Sequence, residues 1–188
     1  MVKTMKDDRQ QRWSPLRIGA WSAAAILLLV PLVAMQFTDE VVWDAADFIV
    51  AGGLLLGTGI TFELAAKMTN NTAYRAAVGV GLLSAFALVW VSLAVGIIGS
   101  ENNDANLMYV GVLAVGAIGA AVAGLKPKGM ARAMAGVALA QVLVAVIAVV
   151  GELGTRTGEV QSDVIIMTVF FTALWLTSAA LFWKAARA

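Results

Sequence analysis

The residues whose types and spacing could do chemistry are three carboxylates, Glu40, Asp44 and Asp47, in the run TDEVVWDAADFIVAGG. If the helix that carries them starts at Thr38, steps of four and three residues place all three on one face, with Asp47 the deepest. Three carboxylates on one stripe repel one another and are stable together only when a cation, a basic neighbour or protonation neutralises them. The stripe is therefore a candidate site for a small cation or a proton. A plainer reading is that Asp47, like Asn106 and Asp163, caps a helix at the water boundary, where negative charge suits the helix dipole.

Most other chemistry is excluded by what the chain lacks. With no histidine and no cysteine, it cannot build disulfides, imidazole-based zinc or haem sites, or a Ser-His or Cys-His nucleophile. Every lysine lies at the edge of an apolar run, so no mid-membrane lysine could form a retinal Schiff base. The run GGLLLGTG has no following Lys-Ser or Lys-Thr pair and so is not a phosphate-binding loop. Basic and aromatic residues do not interleave in the manner of a nucleic-acid interface. No matched acid-base pair suggests catalysis. The expectation is a non-enzyme with no metal, no cofactor and no nucleic-acid partner.

The elements that must position the carboxylates follow from hydropathy. Of 188 residues, 61% are hydrophobic and only 13% charged, with mean hydropathy +0.86, so lipid is the solvent for most of the chain. Six apolar runs, near 16–37, 48–64, 73–99, 107–125, 130–151 and 164–183, are separated by short polar breaks. The first follows several basic residues but is too long for a signal peptide and has no small-residue cleavage site. The expected fold is all-α: a single polytopic transmembrane domain over 1–188, arranged as a six-helix bundle of three tandem hairpins. Residues 1–15 form an interfacial segment, and Ser14-Pro15 opens the first helix.

Charge sets the orientation. Of the 13 lysines and arginines, all except Arg156 fall on one side of a six-helix threading. The positive-inside rule then places both chain ends in the cytoplasm. Nine acidic residues, Asp39, Glu40, Asp44, Asp47, Glu101, Asp104, Glu152, Glu159 and Asp163, sort to the other side.

Some spacings suggest a threefold repeat. Arg17, Arg75 and Arg132 open the outgoing helices, and Asp47, Asn106 and Asp163 open the returning ones, at intervals of 57 to 59 residues. Small residues form stripes at Gly53 and Gly57, and at Gly116, Ala120 and Gly124, where helices can approach closely within one chain or between protomers. Gln141, Ser84 and Ser92 are polar groups at depth, expected to hydrogen-bond between helices.

The runs AMQFTDEVVWDAADFIVAG and WVSLAVGIIGSENNDANLMYVGVLAVGAIGA resemble a family of small six-helix bacterial inner-membrane proteins of unassigned function. That resemblance implies a topology and a bacterial cytoplasmic membrane, and no activity. Two functions stay open. One is a bundle that binds or passes a small cation or proton through an acidic outward-facing vestibule formed by Glu40, Asp44 and Asp47. The other is a structural or accessory subunit that assembles through its Gly/Ala faces with itself or with another membrane protein. Membrane lipid is a partner in either case.

Overall fold

The computed structural model describes residues 15–39, 41–154 and 158–188, and among them every regular element is a helix. The helices are α1 (Pro15–Ala34), α2 (Ala45–Met68), α3 (Thr72–Ala94), α4 (Met108–Ala123), α5 (Pro127–Val150) and α6 (Gly158–Ala185), with a 3-10 turn at Asp104–Leu107 leading into α4. All six are long and apolar enough to cross a membrane, α4 together with its leading turn. The interfacial segment expected before Pro15 lies outside the described residues apart from Pro15 itself.

The chain divides into two compact units, residues 1–59 and 60–188. In the first, α1 meets α2 at Gly59, where a Cβ would come within 2.8 Å of the Trp21 ring. The glycine is what lets the indole lie on the helix backbone. Leu28 lies near Gly52 of α2, and of the α1 residues from Arg17 onward Pro31 is the buried one.

In the second unit the four helices from α3 onward pack in the order α3, α6, α5, α4, while α3 and α4 barely touch. Lipid tails are as apolar as the side chains, so helix association depends on close packing and hydrogen bonds rather than on the hydrophobic effect. Small residues provide the closeness. A Cβ at Gly119 would sit 2.7 Å from that of Ala133, one at Gly129 would sit 2.7 Å from that of Ala123, and one at Gly116 would sit 3.2 Å from Val137. The α4–α5 pair therefore meets along a ladder of small residues. On the α3–α6 side, Ser178 Oγ donates to the Ala77 carbonyl at 2.8 Å, and Gly81 leaves room for that hydroxyl.

Two differences from the expected boundaries have local causes. The third helix stops at Ala94 rather than continuing to residue 99, because Gly96 and Gly99 adopt φ of +77° and +75° and turn the chain. The sixth begins at Gly158, so Asp163 is an exposed residue in its second turn and not a cap.

Charge is segregated by end in the second unit. Lys67, Arg75, Lys126, Lys128, Arg132, Lys184 and Arg187 lie at the end where α2, α4 and α6 finish and α3 and α5 start. Glu101, Asp104, Glu152 and Asp163 lie at the other, leaving Glu63 as the acidic residue on the basic end among the described residues. Arg75 closes the α2–α3 hairpin: its Nε donates to the Thr69 carbonyl at 2.9 Å and a terminal nitrogen to that of Ala66 at 2.7 Å. A guanidinium there satisfies carbonyls that the end of α2 leaves open.

Candidate functional site

The carboxylate run resolves into a helix start. Residues 41–44 are not helical and α2 begins at Ala45, so the spacing from position 40 to position 44 does not act as a helical spacing; Glu40 itself lies outside the described residues. Asp44 is the N-cap. Its Oδ1 accepts from the backbone N–H of Ala46 at 2.7 Å and of Asp47 at 3.0 Å, while Asp47 Oδ2 accepts from the Asp44 N–H at 2.9 Å. This is a reciprocal capping box. The Trp43 and Phe48 rings, which flank it, meet edge-on at 5.2 Å as a hydrophobic staple. Both carboxylates are exposed. Sequence reasoning foresaw a cap at Asp47 but missed that Asp44 is the cap and Asp47 its third helical residue; the pattern W-D-A-A-D-F carried the signal.

The small-residue positions serve different ends. Gly116 and Ala120 face the packed interior of the second unit, Gly116 against Val137 of α5. Gly124 terminates α4 as a left-handed cap at φ +55°, and a Cβ there would meet nothing within 4 Å. The packing glycine that the sequence reading passed over is Gly119. Gly53 and Gly57 are exposed on α2, and a Cβ at either would meet nothing within 4 Å.

Several polar groups lie deep inside the second unit. Counting 1.5 Å per residue from the basic ends of their helices, Ser84, Tyr109, Gln141 and Thr172 all lie roughly 18–21 Å deep. Ser84 hydrogen-bonds back to the Val80 carbonyl of its own helix at 2.7 Å rather than to a neighbour. Gln141 is fully buried, and neither atom of its amide has a partner among the described residues; Tyr109, Thr172 and the Trp175 indole N–H are in the same condition. The interhelical bond expected of Gln141 or Ser84 is made instead by Ser178.

An opening lies between α3 and α4. Toward the basic end it is a cleft of about 570 Å³, with Ala77, Gly81 and Ala85 on one wall and Leu113, Ala117 and Ala120 on the other. Thr61, Leu64 and Ala65 of α2 also line it, Trp175 and Phe182 of α6 contribute to its wall, and Met68 and Leu125 mark its basic rim. Toward the acidic end a second groove of about 350 Å³ carries Glu101, Asn102, Asp104 and Ser92, and it meets the cleft at Leu113.

Hydrogen bonds brace both ends of this gap. Asn106 is the tie at the acidic end: its Oδ1 accepts from the N–H groups of Ile97 and Ile98, both at 2.9 Å, and its Nδ2 donates to the Ser100 carbonyl at 2.8 Å. At the basic end Tyr74 Oη donates to the Leu125 carbonyl at 2.8 Å. Asn103 adds a link from this loop to the Leu153 carbonyl beyond α5, at 2.7 Å.

Comparison with known proteins finds no matching family model, curated protein or solved structure. The chain's own geometry thus carries any functional reading. Among the described residues no group of histidine, cysteine, aspartate or glutamate side chains is arranged to hold a metal ion.

Proposed function

We propose that the protein is a non-catalytic structural or accessory subunit of a bacterial cytoplasmic membrane, with both chain ends cytoplasmic, that works by assembly with another membrane protein or with itself. The observation that carries this reading is a contrast between two glycine faces. On α4, Gly116 and Gly119 are filled by α5, whereas a Cβ added at Gly53 on α2 would meet nothing within 4 Å. A face built for close approach and left open suits a helix from outside. The exposed surface of α1, with Ile26, Leu27 and Val30 each more than half accessible, adds to the area available.

The test is the mass of the purified protein in mild detergent, by light scattering, together with what co-purifies. Wild type is expected as an oligomer or a complex, and Gly53→Leu as a folded single chain. Wild type that is a lone chain at every concentration and in gentle solubilisation overturns the reading.

The competing reading, passage of a small cation or proton, loses support from the use of Asp44 and Asp47 in the α2 cap. Flux measured in reconstituted vesicles separates the two. If Asp44→Asn and Asp47→Asn abolish a flux that wild type shows, while the protein stays folded, the vestibule reading replaces the assembly reading.

A further inference from the structure

We propose that the cleft between α3 and α4 is a binding site for an anionic phospholipid of the surrounding bilayer, its acyl chain in the cleft and its phosphate at the basic rim beside Lys67 and Lys126. Four observations lead there. First, the lining is nearly all apolar and the volume, about 570 Å³, falls in the range of about 300–1,000 Å³ typical of built ligand sites. Second, the cleft has the dimensions of one leaflet. From Tyr74 to Ala85 it runs about 16 Å along α3 at 1.5 Å per residue. Half of a hydrocarbon core of about 30 Å is about 15 Å.

Third, the occupant is chain-like. α2 already lines the cleft through Thr61, Leu64 and Ala65, and α3 and α4 still touch, so a further helix, about 10–12 Å across with its side chains, does not fit between them. A flexible hydrocarbon chain does. Fourth, the charge is one-sided. Lys67 and Lys126 adjoin the rim residues Met68 and Leu125, are exposed, and are held in no ion pair with a described residue. Arg75 is nearby but is committed to the α2 carbonyls. The opposite groove carries Glu101 and Asp104, which repel a phosphate. The head group therefore belongs at the basic end, as in basic pockets between transmembrane helices that select anionic lipids.

The test is native mass spectrometry of the full chain in mild detergent, titrated with phosphatidylglycerol and with phosphatidylcholine of the same acyl chains. Wild type is expected to retain phosphatidylglycerol preferentially. The double variant Lys67→Gln, Lys126→Gln should lose that preference, by about fivefold per lysine, and keep its weak binding of phosphatidylcholine. Ala117→Phe, which fills the cleft from an exposed wall position, should weaken both lipids. Val78→Phe fills the cleft from the α3 wall and takes its place if Ala117→Phe does not give a monodisperse, helical protein. Equal retention of the two lipids by wild type, or retention unchanged by the filling variant, overturns the proposal. So does a dimer that the filling variant dissociates, which would make the occupant a second copy. None of these readouts depends on whether assembly through Gly53 is correct.

Discussion

The Tyr74 hydroxyl donates to the Leu125 carbonyl at 2.8 Å, joining the first turn of α3 to the turn between α4 and α5 across 51 residues of chain. Leu125 holds a left-handed backbone, φ +58°, directly after Gly124 at φ +55°. A leucine there is strained, since its Cβ crowds the following carbonyl. The tyrosine fixes the carbonyl of that strained residue, and by doing so braces α3 against the turn after α4 at the basic rim of the cleft.

Tyr74→Phe should therefore lower stability by about 1 kcal/mol, the net worth of a hydrogen bond, without altering helix content. Leu125→Gly should raise it, because relief of a left-handed leucine, about 1–2 kcal/mol, exceeds the added flexibility of the unfolded chain. Thermal unfolding in detergent, followed by circular dichroism, checks both. A stable Tyr74→Phe would show that the tether carries no load.

Asn106 predicts a larger effect. It is 8% exposed and serves the N–H groups of Ile97 and Ile98, themselves 2% and 0% exposed, so its removal orphans two buried donors. Each orphan costs about 1–3 kcal/mol. Asn106→Ala should be among the most damaging single changes in the chain, whereas Asn106→Asp, which keeps the acceptor and loses the bond to Ser100, should cost less. Denaturation midpoints of the three proteins give the order.

The Asp44–Asp47 box makes a prediction that separates a structural carboxylate from a functional one. Asn caps helices as well as Asp, and Ala does not. Asp44→Asn should keep its stability and Asp44→Ala should lose about 1 kcal/mol. A cation site would instead be harmed by both. Comparing stability with vesicle flux in the two variants distinguishes capping from cation binding.

Gln141 should behave in the opposite sense to Asn106. Its amide is fully buried and unpartnered among the described residues, so replacing it with an apolar side chain of similar volume removes a penalty and no bond. Gln141→Leu is expected to raise the unfolding temperature. A fall would mean that the amide has a partner in the membrane-embedded protein.

How far the fold was legible from sequence follows from these residues. Six spans were readable because a long apolar run has one stable form in lipid, a helix with every backbone group paired internally. The segregation of charge between the ends in the second unit was readable for the same reason, since lysine and arginine gather at helix ends. What could not be read was which neighbours meet. Gly116 looks the same in sequence as Gly53, yet a Cβ at Gly116 would meet Val137 of α5 at 3.2 Å and one at Gly53 would meet nothing within 4 Å. Nor could the cleft be foreseen, because the tethers that brace the gap, Tyr74 to Leu125 and Asn106 to Ile97 and Ile98, join residues whose types are ordinary. The cap was legible only in part for a narrower reason: the helix begins at Ala45 rather than Thr38, so Asp44 rather than Asp47 is the N-cap.

Two glycines with the same backbone hand test how much of this loop geometry is steric. Gly124 and Gly96 both have positive φ, +55° and +77°. A Cβ at Gly124 would meet nothing within 4 Å, so Gly124→Ala faces only the left-handed penalty of about 1–2 kcal/mol. A Cβ at Gly96 would lie 2.3 Å from the Ser100 carbonyl carbon and 2.6 Å from the Glu101 nitrogen, and backbone cannot move aside as a side chain can. Gly96→Ala must therefore break the turn that Asn106 organises, releasing Ile97 and Ile98 with it, and should destabilise the protein several-fold more than Gly124→Ala. Hydrogen exchange at the amides of Ile97 and Ile98 reads this directly: both should lose protection in Gly96→Ala and keep it in Gly124→Ala.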